Sequence, residues 1–387
     1  MRSVAQWLLL GYIFSLPWAY SLDLGEPWGN IARLFGVLTL AITLLAVLER
    51  REINRPRFIG LLALGYFLLQ CSTLYWTISE DATWIAVRGS FQKMMVIWLT
   101  LELADERCDL RRILRAAVSG MAVLAILTLI SYRTAELWEA AQIRYAAEGQ
   151  DPNDTAHFLA LSLPLASLLA VSEAHRFTRW LAIFYQPLAL AALLLTASRG
   201  GFLALLVALP FSGWIFYRKA PRRTVVTGSV LMTFFLLVWI FMPSDNFTRL
   251  ATIPEQLSGG GLNERTAIWE SGLDALHQTP LLGSGAGSFV LAAHTAWMDS
   301  AHNSLLSIAV QSGLPGILLV VCLVTAAFLA ACNAVGALQA ALIGSLLVCA
   351  VSAQVSTIEE SRPAWLLLAI VALAGHKREP LNGLGTA

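Results

Sequence analysis

His302 and Asn303 stand where a polar loop runs into an apolar stretch, in SAHNSLLSIAVQSGLPG, residues 300–316. An imidazole titrates near neutrality, so His302 has the chemistry of a general base that takes the proton of an attacking hydroxyl. A histidine bonded to a neighbouring carbonyl at a membrane border would give the same local pattern. Gly313, Pro315 and Gly316 follow one short helix later. Gly313 can end that helix and Pro315 start the next, which would hold His302 on a broken or re-entrant element rather than a free loop. Arg199 lies in TASRGGFLALL, where a guanidinium beside a helix start joins fixed positive charge to unpaired backbone N–H groups. That combination suits an oxyanion or phosphate, although an interfacial arginine reaching lipid headgroups would look alike. Arg265, in NERTAIWESGLDALHQ, supplies the second guanidinium that a diphosphate would require, or else decorates a solvated helix face.

Weaker candidates surround these three. Arg88 falls in the outer third of an apolar run and could add to an anion site; Lys93, deeper in that run, calls for an internal partner. In DPND, residues 151–154, the simplest reading is a turn with Asn153 or Asp154 capping the next helix; the alternative is a hydrogen-bonding wall for a sugar. Glu359 and Glu360 read either as an ordinary acidic loop or as partners that orient His302. His157, His294 and His302 lack HExxH spacing, and no P-loop or GxSxG elbow occurs, so neither a metal nor another cofactor is expected. GSGAGS at 283–288 imitates a glycine-rich phosphate loop but follows a surface helix rather than a strand.

The elements that must position these groups are membrane helices. Of 387 residues, 57% are hydrophobic and only 13% charged, which excludes a soluble globular domain and offers no surface for nucleic acid. About twelve apolar runs are long enough to cross a bilayer: 4–22, 29–48, 57–78, 83–103, 113–131, 155–172, 179–197, 200–217, 223–242, 303–332, 335–356 and 362–375. The expected fold is therefore an all-α integral membrane protein with about 12 transmembrane helices. Arginine and lysine concentrate in alternate connections, at 50–57, 107–115, 176–179, 218–223 and 377–378, which puts both termini in the cytoplasm. The candidates then share the opposite face. Cys71, Cys322, Cys332 and Cys349 fall within spans and Cys108 on the cytoplasmic side, so no disulfide framework is expected.

The chain divides into residues 1–242 with nine spans, 243–302 as an external loop domain, and 303–387 with three spans and a tail. Within the loop, Ile268, Leu273 and Leu276 recur at helical spacing with Asn263 as the N-cap, which predicts an amphipathic helix at the membrane surface. No internal repeat supports an inverted-repeat transporter, and only Lys93 lies at midplane depth, where a transport site would gather its polar groups.

HNSLLSIAVQSGLPG shows the pattern His-Asn, nine residues, Gly, two residues, Gly, and so resembles the bacterial O-antigen ligases and their wider superfamily with the O-antigen polymerases. LYWTISEDA, YAAEGQDPNDTAHFLALSLPLA, LLLTASRGGFLALL and NERTAIWESGLDALHQTPLLGSGAGSF resemble that superfamily's blocks in the right order, from about residue 60 to 370. The resemblance implies a metal-independent GT-C-type membrane glycosyltransferase of the bacterial inner membrane, its active site facing the periplasm. It implies that Arg199 and Arg265 hold the diphosphate of an undecaprenyl-diphosphate-linked glycan donor while His302 activates the acceptor hydroxyl. A ligase passes the glycan to lipid A-core, a polymerase to another lipid-linked repeat, and a protein oligosaccharyltransferase to Ser or Thr. The His-Asn block and the moderate loop size lean towards the ligase. Glu359 and Glu360, in IEESRP, do not match the family's pattern, and an anionic-lipid transporter remains the reading from another class.

Overall fold

The computed structural model describes residues 1–25, 29–54, 57–104, 106–134, 144–220, 228, 244–257, 265–295 and 300–375. Among these the chain is helical, with one isolated bridge between Asp23 and Asn30 and no strand. The helices are α1 (Arg2–Ser15), α2 (Ile31–Arg50), α3 (Phe58–Ser72), α4 (Glu80–Leu103), α5 (Glu106–Arg133), α6 (Pro152–Ser172), α7 (Arg176–Leu195) and α8 (Arg199–Lys219). They continue with α9 (Ser244–Ala251), α10 (Ile253–Leu257), α11 (Arg265–Gln278), α12 (Phe289–Ala292), α13 (Ser304–Cys332), α14 (Gly336–Ser352) and α15 (Arg362–Ala374). Polar side chains set the starts of many of them: Asn30, Ser79, Asp151, Ser198, Asn303 and Ser361 each accept a backbone N–H of the first turn.

Seven described helices are long and apolar enough to cross a membrane: α2, α3 with its 3-10 extension to Tyr75, α5 from Leu110, α6, α7, α8 and α13. Of the other expected spans, α4 has the length but carries charge, α1 continues as a 3-10 helix from Leu16 to Ser21, and α14 and α15 are short, at 17 and 13 residues. The expected span 223–242 lies outside the described residues except at 228, as does the proposed N-cap Asn263.

At the centre stands α6, buried along nearly its whole length and packed by α5, α7, α8 and α14. Its alanine-rich surface lets neighbours approach closely. A Cβ on Gly201 would lie 2.2 Å from that of Ala156, so the α6–α8 crossing beside the candidate site requires glycine there.

α13 is broken where the sequence predicts. Gly313 has φ 58° and ψ −156° inside the helix, so the carbonyls of Val310 and Gln311 lose their helical partners. The 283–288 loop takes them instead: Ser284 N donates to Val310 O at 2.8 Å and Gly285 N to Gln311 O at 3.0 Å, while Leu314 N donates back to Pro280 O at 3.3 Å. The loop's far side is held by Thr73, whose Oγ1 accepts from Ala286 N at 3.1 Å, and by Thr83, whose Oγ1 donates to Ala286 O at 2.8 Å. Its N–H groups thus fasten the break in α13 to the α3–α4 turn. α11 packs on the first turns of α13 with Ile268 and Leu276 on the packed side as expected and Leu273 off it. Gly272 and Ala275 are buried with Ile268 and Leu276 beside them, whereas Leu273 is 47% exposed, because only small residues allow the close crossing over Leu306 and Phe289.

Candidate functional site

The seat of Arg199 is built from the end of α7. The last carbonyls of α7 run out of helical N–H partners, and side chains add donors to four of them. Arg144 Nε donates to Thr196 O at 3.0 Å, Arg249 Nε to Ala197 O at 3.1 Å, and Asn246 Nδ2 to Leu194 O and Leu195 O at 3.3 and 3.0 Å. These bonds fix a turn in which Ala197 takes φ 48°, a left-handed conformation that a residue with Cβ adopts only under constraint. Ser198 then caps α8, accepting from Gly201 N at 3.1 Å and donating to Asn153 Oδ1 at 2.9 Å. Asn153 Oδ1 also accepts from Arg144 Nη2 at 2.8 Å. Arg199 itself, half-buried, donates from Nε to Arg249 O at 3.2 Å and from Nη2 to Thr252 Oγ1 at 2.6 Å.

Arg265, at the start of α11, is half-buried and makes no hydrogen bond or ion pair among the described residues. Burial lowers its pKa; the charges of Arg199 and Arg249 lower it further, and Asp151 opposes them. Three guanidiniums therefore share one region. DPND differs from its simplest reading: Asp151 is the cap of α6, accepting from Asn153 N at 2.7 Å and Asp154 N at 3.2 Å, which frees Asn153 to tie α6 to α8.

The seat of His302 lies across a bridge. His302 has φ 45° and follows Ala301, whose carbonyl accepts Trp269 Nε1 at 2.9 Å, so α11 holds both Arg265 and, one turn later, the residue that anchors the histidine turn. Asn303 caps α13, accepting from Leu306 N at 3.0 Å. Ser304 is the hub. Its N donates to Ala353 O at 2.8 Å, its Oγ donates to Ser356 O at 3.0 Å, and the same Oγ accepts from Ile358 N at 2.9 Å. Ser356 Oγ in turn donates to Asp154 Oδ1 at 3.2 Å, and buried His157 meets Ser352 Oγ through Nδ1 at 2.8 Å. Residues 352–358 thereby join the first turn of α6 to the first turn of α13.

Of the sequence candidates, Arg199, Arg265, Asn153, Asp154, His302 and Asn303 fall within this network of neighbouring elements. Glu359 follows the bridging turn, with both carboxylate oxygens buried, and Glu360 is exposed beside it. Arg88 is exposed on α4 beside Trp84 and Ile85, which are exposed as well. Arg144, Arg249, Trp269, Ser304 and Ser356 went unread as site residues. Most of their partners lie 50 or more positions away, so no local pattern marks them.

Chemically, the starts of α6 and α8 are tied together beside Arg199 through Asn153 and Ser198, and the start of α13, with His302, is joined to α6 through residues 352–358. A helix N-terminus beside guanidiniums has the chemistry of an anion site. Among the described residues no three His, Cys, Asp or Glu side chains are grouped to hold a metal ion.

The fold is that of a multi-pass helical membrane protein. Residues 187–321, which contain Arg199, Arg265 and His302, match the family model described as O-antigen ligase. The chain is 24% identical over 352 residues to a general O-oligosaccharyltransferase of Acinetobacter baylyi, covering 82% of this chain and 60% of that one. It is 25% identical over 347 residues to an O-antigen ligase of Pseudomonas aeruginosa, covering 83% of this chain and 78% of that one. It thus spans about three fifths of the Acinetobacter protein's length. The chain is thus similar to the O-antigen ligases over residues 187–321 and, at about a quarter identity, to these two relatives over most of its length.

Proposed function

We propose that the protein is a membrane glycosyltransferase that moves a glycan from an undecaprenyl-diphosphate carrier to lipid A-core at the periplasmic face of the bacterial inner membrane. The observation that carries this reading is Arg265: a half-buried guanidinium with no described partner, within electrostatic reach of Arg199 and Arg249. Such a seat is built for an anion larger than a side-chain carboxylate, and a diphosphate fits two guanidiniums.

In this mechanism a ring nitrogen of His302 takes the proton of the acceptor hydroxyl while its oxygen attacks the anomeric carbon. The bond from that carbon to the diphosphate oxygen breaks with inversion, and the electron pair leaves on undecaprenyl diphosphate. Arg199, Arg265 and the α8 N-terminus hold the charge that develops there. No cofactor enters the scheme. Asn153 fixes the Arg199 turn, Asn303 the start of the His302 helix, and Asp154 lines the acceptor side. Arg88, on the exposed stripe of α4, meets the lipid-borne phosphate on its way in.

The Acinetobacter relative's name favours one second reading, transfer to a protein hydroxyl. Purified protein in nanodiscs, given an undecaprenyl-diphosphate-linked glycan and lipid A-core, should place glycan on lipid A-core. Lengthening of the lipid-linked glycan instead would identify a polymerase, and transfer only to an added protein acceptor would identify the oligosaccharyltransferase. Binding of the donor without transfer to any acceptor would favour the anionic-lipid transporter.

A further inference from the structure

Lys93 is 6% exposed and sits past the midpoint of α4, roughly 20 Å below the helix start at about 1.5 Å per residue. An ammonium at that depth is costly unless it faces a partner or a cavity. Its Nζ lies 5.9 Å from the ring centroid of Trp365, and the charges of Glu359, Glu360 and Arg362 reach it. Trp365 is packed against Tyr66 of α3 and donates Nε1 to Glu359 O at 2.8 Å.

These contacts require the turn between α14 and α15 to be recessed. The described α15 has 13 residues, roughly 20 Å of helix against about 30 Å of hydrocarbon, and its first turn stands beside Lys93, roughly 20 Å below the start of α4, so residues 353–361 lie well below the level at which α4 begins. Irregular backbone survives at such depth only where protein or a wet cavity satisfies it. Here Ser304 does much of that work, bonding Ala353 O, Ser356 O and Ile358 N. Both carboxylate oxygens of Glu359 are buried without a hydrogen bond of normal geometry, although the hydroxyls of Ser304 and Ser307 lie beside them. Glu359 thus sits between the lysine and the first turn of α13.

We propose that Lys93 is a positioning residue: through Trp365 and Glu359 it holds the recessed turn 353–361, and through Ser304 that turn sets the start of α13 and the orientation of His302. The inference rests on the reading of His302 as the base. It separates two roles, since the arginines bind donor while Lys93 touches no reacting atom.

The test compares wild type, Lys93→Met, Lys93→Arg, Glu359→Gln and the Lys93→Met/Glu359→Gln double variant in nanodiscs. Turnover of the undecaprenyl-diphosphate-linked glycan onto lipid A-core is measured together with hydrogen exchange of residues 300–308 and 353–361. Lys93→Met should lower kcat roughly 10- to 100-fold, as a misplaced group does, with less than about a twofold change in donor KM. Lys93→Arg should recover most of the turnover. The double variant should be no slower than Lys93→Met, because the two side chains act in one chain of contacts. Exchange should rise in the two segments and not across the bundle. If Lys93→Met does not fold, the double variant removes both buried charges; slow turnover in a folded double variant supports the proposal, and full turnover overturns it. Wild-type kcat in Lys93→Met, a rise in KM alone, or no recovery by Lys93→Arg also overturns it. If wild type transfers nothing to lipid A-core, the functional reading has failed, and the exchange comparison decides the positioning claim alone.

Discussion

The two ends of the helix bundle treat arginine differently. At the end where α2 and α4 stop and α5 starts, arginines meet buried carboxylates. Arg50 Nη2 lies 2.8 Å from Glu102 Oε1, and Arg115 grips Glu173 with two bonds of 2.7 Å. Both glutamate side chains are 1% exposed. At the His302 end, Arg144, Arg199 and Arg249 donate to backbone carbonyls and uncharged side chains, while Arg265 has no described partner. The contrast turns on Arg265, since Arg57 at the first end also donates to a backbone carbonyl, that of Ala372. A buried carboxylate holds each of Arg50 and Arg115, whereas Arg265 has no such partner among the described residues.

The largest effects should appear at the His302 end and leave folding intact. His302→Ala should cut transfer roughly 10²- to 10⁴-fold, the range of a lost general base, with donor binding unchanged. Arg265→Ala should weaken donor binding about 10- to 100-fold, as loss of charge-assisted hydrogen bonds does, and its thermal midpoint should match wild type. Equal donor binding by Arg265→Ala and wild type would erase the distinction between the ends.

Effects on stability come next. Gly313→Ala puts a Cβ 2.4 Å from Leu281 O at a positive φ, so it should cost about 1–3 kcal/mol and loosen the 283–288 loop. Hydrogen exchange at residues 283–288 checks this. The smallest effect belongs to the paired end. Arg115→Ala should lower stability by about 1–2 kcal/mol, less than for a fully buried pair because the Arg115 side chain is 38% exposed, with transfer kept. Burial pushes the Glu173 carboxyl up, but the hydrogen bonds from Arg115 and from His175 N outweigh it and hold the pKa below the ordinary value of 4.5. A depressed carboxylate stabilises the fold above its unfolded pKa and loses that contribution as pH falls through the folded one. The gap between wild type and Arg115→Ala should therefore be full at neutral pH and close as pH drops below about 4.5, as thermal unfolding across pH would show.

Much of the fold was legible because hydrophobic runs and breakers act locally. The apolar stretches gave the helices, and Gly313 with Pro315 gave the break in α13. His302, Arg199 and Arg265 were legible as chemistry because each sits beside a helix start. Which neighbours hold them was not, since Asp154 and Ser356 are 202 positions apart and His157 and Ser352 195 apart. DPND misled for a related reason: capping propensity is shared by Asp151, Asn153 and Asp154, and only the contacts of Asn153 with Arg144 and Ser198 decide among them. Leu273 misled because helical spacing marks a face without saying whether a close crossing will reject large residues.

The central claim is that donor seat and base are separate parts of one site. Its most direct test is undecaprenyl diphosphate binding to nanodisc-embedded wild type, Arg265→Ala and His302→Ala, measured alongside glycan transfer by the same samples. Arg265→Ala should bind about 10- to 100-fold more weakly, while His302→Ala should bind as wild type does and transfer roughly 10²- to 10⁴-fold more slowly. Wild-type binding by Arg265→Ala, or wild-type transfer by His302→Ala, would contradict the claim.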